Sequence, residues 1–453
     1  MSKTITALAT PPGIGGLAIV RLSGDEAISI ADKCFSGSAR LVDAKPNTIH
    51  FGKFIFNNKI IDTVTASVFH SPKSYTGENT VEFGCHGGML VSGEIINALL
   101  QSGAVLATAG EFTKRAFLNG KMDLTQVEAV ESIIHSVSVP GAMTSARQLA
   151  GEFSQRVALL RKKLLDAAGL LELELDFADE DIELIPKQKI LESINETQQF
   201  CTQLCESFRS AEILRSGYFV AIAGYPNSGK STLFNTLLDR RRAIVSEIPG
   251  TTRDFLEETL LINGIAVKII DTAGLRDTTD LIEIEGIKFG ESVLEQSNLI
   301  LVLNDVSLSP SNSNKLVAEL NKKFPGRTII LLQNKIDKIG SATDFSNNSG
   351  FTEIQISAKH KSGIDELKEI IYNLALQSTE RVSDVLINQR HFALLSKAAE
   401  ELSSARTALE SGMENEVIAI DVRSAIRTLG EIIGETFNED ILNNIFSNFC
   451  IGK

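Results

Sequence analysis

The feature that most constrains the fold of this chain is a phosphate-loop motif near its middle. The apolar run Tyr218–Ala223 has the character of a buried strand, and Gly224–Ser231 follows at once with the sequence GYPNSGKS. Residues Thr232–Leu238 then have the composition of a helix. The pattern G-x-x-x-x-G-K-[ST] between a strand and a helix predicts a loop whose backbone amides, together with the helix N-terminus, bind phosphate groups. The sequence therefore predicts an α/β unit that binds a nucleoside triphosphate.

A second motif, downstream of this loop, indicates which base the nucleotide carries. The strand-like run Thr328–Gln333 leads to Asn334–Asp337, with the sequence NKID. The Asp337 carboxylate can accept hydrogen bonds from guanine N1–H and the 2-amino group, and adenine offers neither donor. We therefore expect selection of GTP over ATP, with Ser357–Lys359 closing over the base. The predicted GTP-binding residues are Asn227, Ser228, Gly229, Lys230, Ser231, Thr232, Ser246, Glu247, Ile248, Pro249, Gly250, Thr251, Thr252, Asp271, Thr272, Ala273, Gly274, Asn334, Lys335, Asp337, Ser357, Ala358 and Lys359.

Charged and hydroxyl side chains in these motifs also predict how the phosphates and a metal are held. Lys230 is expected to neutralise the β- and γ-phosphate oxygens, and the Ser231 hydroxyl to hold Mg²⁺. Thr252, in the segment Gly250–Asp254, is expected to complete the Mg²⁺ shell. A further strand ends at Asp271, whose carboxylate is expected beside the water molecules of the metal. The predicted Mg²⁺ ligands are Ser231 and Thr252.

One position departs from the pattern of small GTPases. Leu275 stands where a glutamine would position the attacking water, and an aliphatic side chain cannot orient water. Two residues that follow are candidates for this role. Arg276 is either an arginine finger or an exposed loop residue, and Glu283 either orients water or stabilises a helix N-terminus.

The spacing of apolar residues divides the chain into four segments. Residues 1–118 have short β-type runs and one helical stretch, 119–216 have helical periodicity, 217–376 alternate strand and helix, and 377–453 return to helical periodicity. The predicted fold class is a multidomain α/β and α protein with an N-terminal α+β domain, an all-helical domain and an inserted P-loop GTPase (Ras-like) α/β domain. Two Ser- and Asn-rich stretches, 307–314 and 341–350, are predicted to be surface loops.

Composition narrows the classes of partner and compartment. The 453 residues include 44 Lys+Arg and 57 Asp+Glu, a net charge of −13, which argues against non-specific coating of nucleic acid. The five cysteines are scattered with no C-x-x-C pair, so neither a disulfide framework nor a zinc site is indicated. No apolar run approaches the length of a membrane span or a signal peptide, so we expect a cytoplasmic protein without membrane contact.

Motifs along the whole chain resemble the MnmE (TrmE) family of tRNA-modification GTPases. The most specific are the terminal run Phe449–Lys453 (FCIGK) and Arg115–Lys121. The other matching segments are Ala9–Gly13, Arg21–Gly24, Tyr75–Glu78, His86–Gly88, Gly110–Lys114 and Gly250–Asp254.

The resemblance implies an N-terminal domain that dimerises and binds 5-formyl-tetrahydrofolate or a related one-carbon folate. By this resemblance the folate site falls on Arg21, Glu82, Lys121 and Lys453. Arg and Lys suit carboxylates and Glu suits the donor face of a pterin, although without the resemblance these residues would be taken for strand-end and surface charges. The family acts on tRNA with the FAD-dependent partner MnmG, in a heterotetramer, adding an aminomethyl or carboxymethylaminomethyl group to C5 of the wobble uridine.

The resemblance also implies how hydrolysis proceeds without the glutamine. A potassium ion would be held by Asn227, Ser246, Ile248 and Thr251, where an arginine finger otherwise places its charge. Glu283 matches the water-orienting carboxylate of the family, so Asn227 and Glu283 are the predicted catalytic residues. Hydrolysis would then require two G domains face to face in a homodimer.

The sequence leaves two questions open, namely the role of Cys450 and the function of the whole chain. Cys450 is either a nucleophile at the folate site or a small apolar anchor of the tail. The chain as a whole is alternatively a regulatory or assembly GTPase acting on ribosomal RNA, although it lacks an evident basic RNA-binding module. The third possibility is a G domain on a helical scaffold that serves only dimerisation.

Overall fold

A computed structural model describes most of the chain, in two compact units. The described residues are 3–176, 187–238, 257–271, 292–307, 310–338, 352–379, 384–447 and 449–453. The first unit comprises Met1–Ile134, Ala146–Cys201 and Ala393–Lys453, and the second comprises His135–Ser145 and Thr202–Phe392.

The first unit begins with a seven-stranded sheet in the order β3-β4-β5-β6-β2-β1-β7. Its strand pairs are antiparallel except for the parallel pair β1 and β7. The strands are β1 (Ile5–Leu8), β2 (Ala18–Ser23), β3 (Phe35–Gly37), β4 (Thr48–Phe56), β5 (Lys59–Phe69), β6 (Thr80–Cys85) and β7 (Val105–Leu106), and the helices are α1 (Ala27–Lys33), α2 (Met89–Gln101) and α3 (Glu111–Leu118).

Alternation along the strands places apolar and charged residues of this sheet on opposite faces. Val20 and Leu22 on β2 are fully buried, as is Phe83 on β6, and they belong to one apolar core. Because side chains alternate with a period of two, Arg21 and Glu82 face the other way, and they are directly opposite each other in the register of β2 and β6. The sheet therefore presents a charged pair on the face away from its core.

Long helices follow this sheet, as the periodicity predicts. They are α4 (Leu124–Ile134), α5 (Val139–Leu149), α6 (Glu152–Asp176) and α7 (Lys187–Ser216). Leu160, Leu164 and Leu171 recur at helical spacing on α6 and are fully buried. The apolar stripe seen in the sequence is thus a packed face.

The second unit contains the predicted α/β sheet, in the order β13-β12-β11-β8-β10-β9. All pairs are parallel except that of the edge strand β9 with β10. The elements are β8 (Tyr218–Gly224), α8 (Lys230–Leu238), β9 (Glu257–Ile262), β10 (Ile265–Asp271), β11 (Leu299–Asp305), α9 (Pro310–Lys323), β12 (Thr328–Asn334), β13 (Thr352–Ile356) and α10 (Ile364–Thr379). Every residue of β11 is buried, as expected for a central parallel strand.

The predicted surface loop at 307–314 is wrong over its second half. Helix α9 begins at Pro310, inside that stretch. Proline fits the first helical position because its fixed φ suits the helix and its missing N–H would have no intrahelical partner there. Downstream, Val317 and Leu320 are buried in a cluster with strand residues, so packing and not local composition determines the helix. The other predicted loop, 341–350, lies outside the described residues.

Three helices and a short tail form the C-terminal part of the described chain. The helices are α11 (Gln389–Glu410), α12 (Asn415–Ile433) and α13 (Glu439–Ser447). Helix α12 packs against α6, where Arg161 Nε donates a hydrogen bond to the Ile426 carbonyl at 3.1 Å. Within the described part of the chain, no helix is at once long enough and apolar enough to span a lipid bilayer.

Candidate functional sites

The phosphate loop lies between β8 and α8, at the carboxyl end of a central parallel strand. Gly229 has φ +102°, and a Cβ atom there would overlap the Asn334 side chain. Lys230 is buried, and its Nζ donates hydrogen bonds to the carbonyls of Gly224 and Tyr225 at 2.9 and 3.0 Å. The lysine therefore lies along the loop, with its charge directed at the space the backbone encloses.

The guanine motif is joined directly to this loop. Asn334 Nδ2 donates a hydrogen bond to the Ser228 carbonyl at 2.8 Å, and Asn334 Oδ1 accepts one from the Ala358 amide at 3.0 Å. Lys335 adopts φ +68°, and its Nζ donates to the Asn227 carbonyl at 2.7 Å. Three segments far apart in sequence are thus held together by side-chain to backbone hydrogen bonds.

A residue that the sequence interpretation missed, Asp305, completes this arrangement. It ends the buried strand β11 and forms an ion pair with Lys335 at 2.5 Å. Burial acts to raise the pKa of the Asp305 carboxyl, but hydrogen bonds from Lys335 and Ser307 lower it to about 2. The only signal in the sequence was a carboxylate at the end of an apolar strand, which is common in α/β folds.

Asp337, the predicted base-reading residue, lies in a short 3₁₀ turn beside the closing segment. Its Oδ1 accepts a hydrogen bond from Ser357 Oγ at 2.5 Å, which lowers the pKa of the Asp337 carboxyl. Ser357 is buried and belongs to the segment predicted to close over the base. The carboxylate is therefore oriented and ionised, as an acceptor for two guanine donors must be.

The described part of the predicted Mg²⁺ site consists of Ser231 and Asp271. Ser231 Oγ lies 3.2 Å from Asp271 Oδ2, as donor to acceptor, at the start of α8 and the end of β10. A hydroxyl and a carboxylate at the phosphate edge are the oxygen ligands that Mg²⁺ prefers, so these residues fit that ion. Asn227, which is exposed and has φ +63°, is the only predicted potassium ligand in the described part of the chain.

Several predicted residues lie outside the described residues. They are Ser246, Glu247, Ile248, Pro249, Gly250, Thr251, Thr252, Thr272, Ala273, Gly274 and Glu283, together with Leu275 and Arg276.

A second site surrounds Arg21 on the N-terminal sheet. Its Nε donates to Glu82 Oε1 at 2.7 Å, and its guanidinium carbon lies 5.1 Å from the Tyr75 ring centroid and 5.5 Å from that of Phe112. Arg21 Nη1 is buried and has no hydrogen-bond partner among the described residues. A buried guanidinium donor without an acceptor, close to two aromatic rings, is costly unless a ligand supplies the acceptor.

The C-terminal tail brings a second cation to this site. Phe449 is buried, Ile451 forms a bridge with Ala109, and the Phe112 amide donates to a Lys453 main-chain oxygen at 3.2 Å. Burial, and next the nearby charge of Arg21, lower the pKa of the Lys453 ammonium, whereas Glu82 acts in the opposite direction. Arg21 and Lys453 thus place two cationic side chains beside the carboxylate of Glu82.

This charge excess fits a carboxylate-bearing ligand such as a folate. A ligand carboxylate would provide the acceptor that Arg21 Nη1 lacks among the described residues, and it would also pair with the Lys453 ammonium. Cys450 is exposed, so Phe449 and not the thiol anchors the tail.

Lys121 is not brought to these three residues by any described contact. Its Nζ donates to the Pro72 carbonyl at 3.1 Å. Its side chain lines an open cavity of about 590 Å³ that also involves Met122, Ile433 and Phe437. Of the four predicted folate residues, the structure therefore gathers Arg21, Glu82 and Lys453.

Known proteins resemble this chain along its full length. Residues 4–121 match the family model described as the GTP-binding protein TrmE N-terminus, and residues 124–450 match that of the MnmE helical domain. The tRNA modification GTPase MnmE of Christiangramia forsetii is 40% identical over 472 residues, covering 100% of both chains. The protein of the same name from Flavobacterium psychrophilum is 42% identical over 460 residues, covering 99% of each.

Among solved structures, the G domain of the T. maritima FeoB iron transporter is 27% identical and covers 35% of this chain and 98% of its own. The TM-score is 0.28. The family models and the full-length relatives confirm both the predicted fold class and the resemblance. The chain belongs to the MnmE family of tRNA modification GTPases.

Proposed function

We propose that this GTPase couples its nucleotide cycle to modification of C5 of the tRNA wobble uridine. The product is an aminomethyl or carboxymethylaminomethyl group, installed together with an FAD-dependent partner of the MnmG type. The relatives are named as tRNA modification GTPases, which supports tRNA as the substrate and disfavours a ribosomal-RNA switch.

In the G domain, the described contacts support a division of labour among the binding residues. Asp337 selects guanine through its ionised carboxylate, Lys230 neutralises phosphate charge, and the loop amides bind phosphate oxygens. Ser231 and Thr252 are the proposed Mg²⁺ ligands, and Asp271 lies beside Ser231. Bound Mg²⁺ would neutralise charge that develops on the phosphate oxygens.

Hydrolysis needs a residue that orients water, because Leu275 cannot. Glu283 is the proposed residue for this task, and Asn227 with Ser246, Ile248 and Thr251 would hold K⁺. Bound K⁺ would supply the positive charge that an arginine finger provides in other GTPases. We propose that two G domains meet in a homodimer during this step.

At the N-terminal site, Arg21 and Lys453 would bind the carboxylates of a one-carbon folate, and Glu82 would accept hydrogen bonds from its donor groups. A bound folate would supply the one-carbon unit of the modification. The rings of Tyr75 and Phe112 contact the guanidinium of Arg21 and would restrict its movement. Lys121 is proposed to contact the same ligand, and Cys450, being exposed near Lys453, is a candidate thiol for the chemistry. We place the whole cycle in the cytoplasm.

One observation carries the proposal. The similarity to tRNA modification GTPases runs through both the guanine site and the site around Arg21, so one polypeptide supplies both.

The proposal is tested by nucleoside analysis of tRNA from cells that lack this chain. We expect the C5 modification at the wobble position to be lost, restored by the wild-type chain, and not restored by Lys230→Ala. Fully modified wobble uridines in the deletion strain would overturn the proposed function.

A further inference from the structure

A network of half-buried charged residues connects the segments that carry Arg21 and its two neighbouring rings. Arg115, on α3, is 12% exposed, and its Nη1 donates to both Glu78 carboxylate oxygens at 3.3 and 3.1 Å. Its Nη2 donates to Glu111 at 2.8 Å and to the Lys3 carbonyl at 2.9 Å. This is the planar, forked recognition for which arginine is suited and lysine is not.

The network reaches the strand that carries Arg21. Glu78 also accepts a hydrogen bond from Ser23 Oγ at 2.7 Å, and Ser23 is fully buried two residues after Arg21 on β2. The same Ser23 hydroxyl lies 2.7 Å from Thr76 Oγ1. Residues two apart on a strand project to the same side, so Ser23 connects the network to the face of β2 on which Arg21 lies.

The network also fixes the two aromatic walls. Phe112 and Thr113 stand on α3 with Arg115, and Thr113 Oγ1 lies 2.9 Å from the Tyr75 hydroxyl. Tyr75 precedes Thr76 and Glu78 in one loop. The two rings against the Arg21 guanidinium are therefore carried by the two segments that Arg115 clamps together.

We propose that Arg115 is a positioning residue for the anion site around Arg21. It fixes the positions of α3, the loop 75–78 and β2 relative to one another. Tyr75 and Phe112 then keep the Arg21 guanidinium oriented toward the ligand. Arg115 makes no described contact with Arg21, Glu82 or Lys453, so it acts through the walls and not through the ligand. This inference rests on the proposed folate role of the site.

The first experiment measures binding of 5-formyl-tetrahydrofolate to the full chain by calorimetry. Arg115→Met should weaken binding by about tenfold or more, the scale seen when residues that orient ligating groups are lost. Arg115→Lys should fall between, because it keeps the charge and loses the fork. Ser23→Ala, a milder change, should weaken binding by about threefold.

Arg40→Met is the matched control in the same domain. Arg40 pairs with Asp32 through the same kind of contact, yet its side chain is 71% exposed. Its loss should leave folate binding within about twofold of the wild type. GTP affinity should be unchanged in all four variants, which shows that the unit with the GTP site is intact, and an unchanged thermal unfolding profile would show that the N-terminal unit is folded.

A double mutant separates positioning from general support of the fold. In a chain that already carries Arg21→Lys, the Arg21 guanidinium is absent. If Arg115 acts by orienting that guanidinium, adding Arg115→Met to this chain should reduce folate affinity by less than about twofold. A full, additive loss in that background would overturn the inference.

Hydrogen–deuterium exchange distinguishes failure of this inference from failure of the folate role. Amides of residues 71–79 and 111–118 should exchange faster in Arg115→Met and not in Arg40→Met. If the wild-type chain does not bind the folate, that part of the proposed function fails, and exchange alone decides the positioning role. Unchanged exchange in Arg115→Met would overturn the inference in either case.

Discussion

The two candidate sites differ in how they are built. The GTP site is made of contiguous segments at the carboxyl ends of β8 and β12, and a short motif specifies each segment. The site around Arg21 is made of single side chains from β2, β6, α3 and the tail. These residues are far apart in the sequence. Short contiguous motifs specify the GTP site. The site around Arg21 exists only after the tertiary structure has brought its residues together.

This difference teaches what each site tolerates. A backbone cradle fails when an added atom prevents the chain from following its path. A side-chain site fails when the elements that carry the groups shift, even if every group is present. Substitutions that add one methyl group to each site should therefore separate the two modes of construction.

The largest expected effect is on the cradle, from Gly229→Ala. Gly229 has φ +102°, and the new Cβ would overlap Asn334 Nδ2, which holds the Ser228 carbonyl. Backbone strain at a non-glycine residue with this φ is of the order of 3 kcal/mol. This is equivalent to about a 100-fold loss of GTP affinity. Titration with a fluorescent GTP analogue measures this loss.

Gly264→Ala is the matched control for that prediction. Gly264 has φ +87° in the same unit, but a Cβ there meets nothing within 4 Å. It should cost stability without changing GTP affinity. Equal affinities for the Gly229→Ala variant and the wild type would mean that the loop does not bind phosphate as inferred.

Much of the guanine site was predictable because its information is local. The strand, loop and helix around Gly224–Ser231 and the run Asn334–Asp337 each follow from hydrophobic periodicity and a short motif. Asp305 was missed because a carboxylate at a strand end has many uses, and only the fold shows that it pairs with Lys335. The loop predicted at 307–314 failed because packing of Val317 outweighed the polar composition before it.

The N-terminal site was not predictable from periodicity or spacing. Arg21 and Glu82 look like ordinary strand charges until the register places them opposite each other. Tyr75, Phe112 and Arg115 lie in segments that resemble the family, but nothing in those segments indicates that they lie around Arg21. Family resemblance named Arg21, Glu82 and Lys453, but only the structure shows the aromatic walls and the network behind them.

The next effect, intermediate in size, is on the tail. Gly452 has φ +103°, and a Cβ there would overlap the Leu8 carbonyl, so Gly452→Ala must displace the tail. Lys453 would then leave the neighbourhood of Arg21, and folate affinity should fall by about tenfold, the cost of one charge-assisted contact. Calorimetry measures this fall, and GTP affinity should stay constant.

Gly412→Ala is the matched control for this prediction. Gly412 has φ +69°, and a Cβ there meets nothing within 4 Å. It should leave folate affinity unchanged. If Gly452→Ala also leaves it unchanged, the tail does not form part of the site.

The smallest effect concerns the protonation of Lys453. Burial and Arg21 hold the pKa of this ammonium below its ordinary value of 10.5. The free folded chain therefore binds fewer protons than the unfolded chain between the lowered pKa and 10.5, so this group makes the free protein more stable as pH rises through that window. A carboxylate ligand favours the charged ammonium, so its affinity should fall by a few-fold over the same rise. Arginine stays charged there, and Lys453→Arg should abolish the pH dependence measured by calorimetry. A slope that persists in Lys453→Arg would assign the titration to another group and remove Lys453 from the ligand contact.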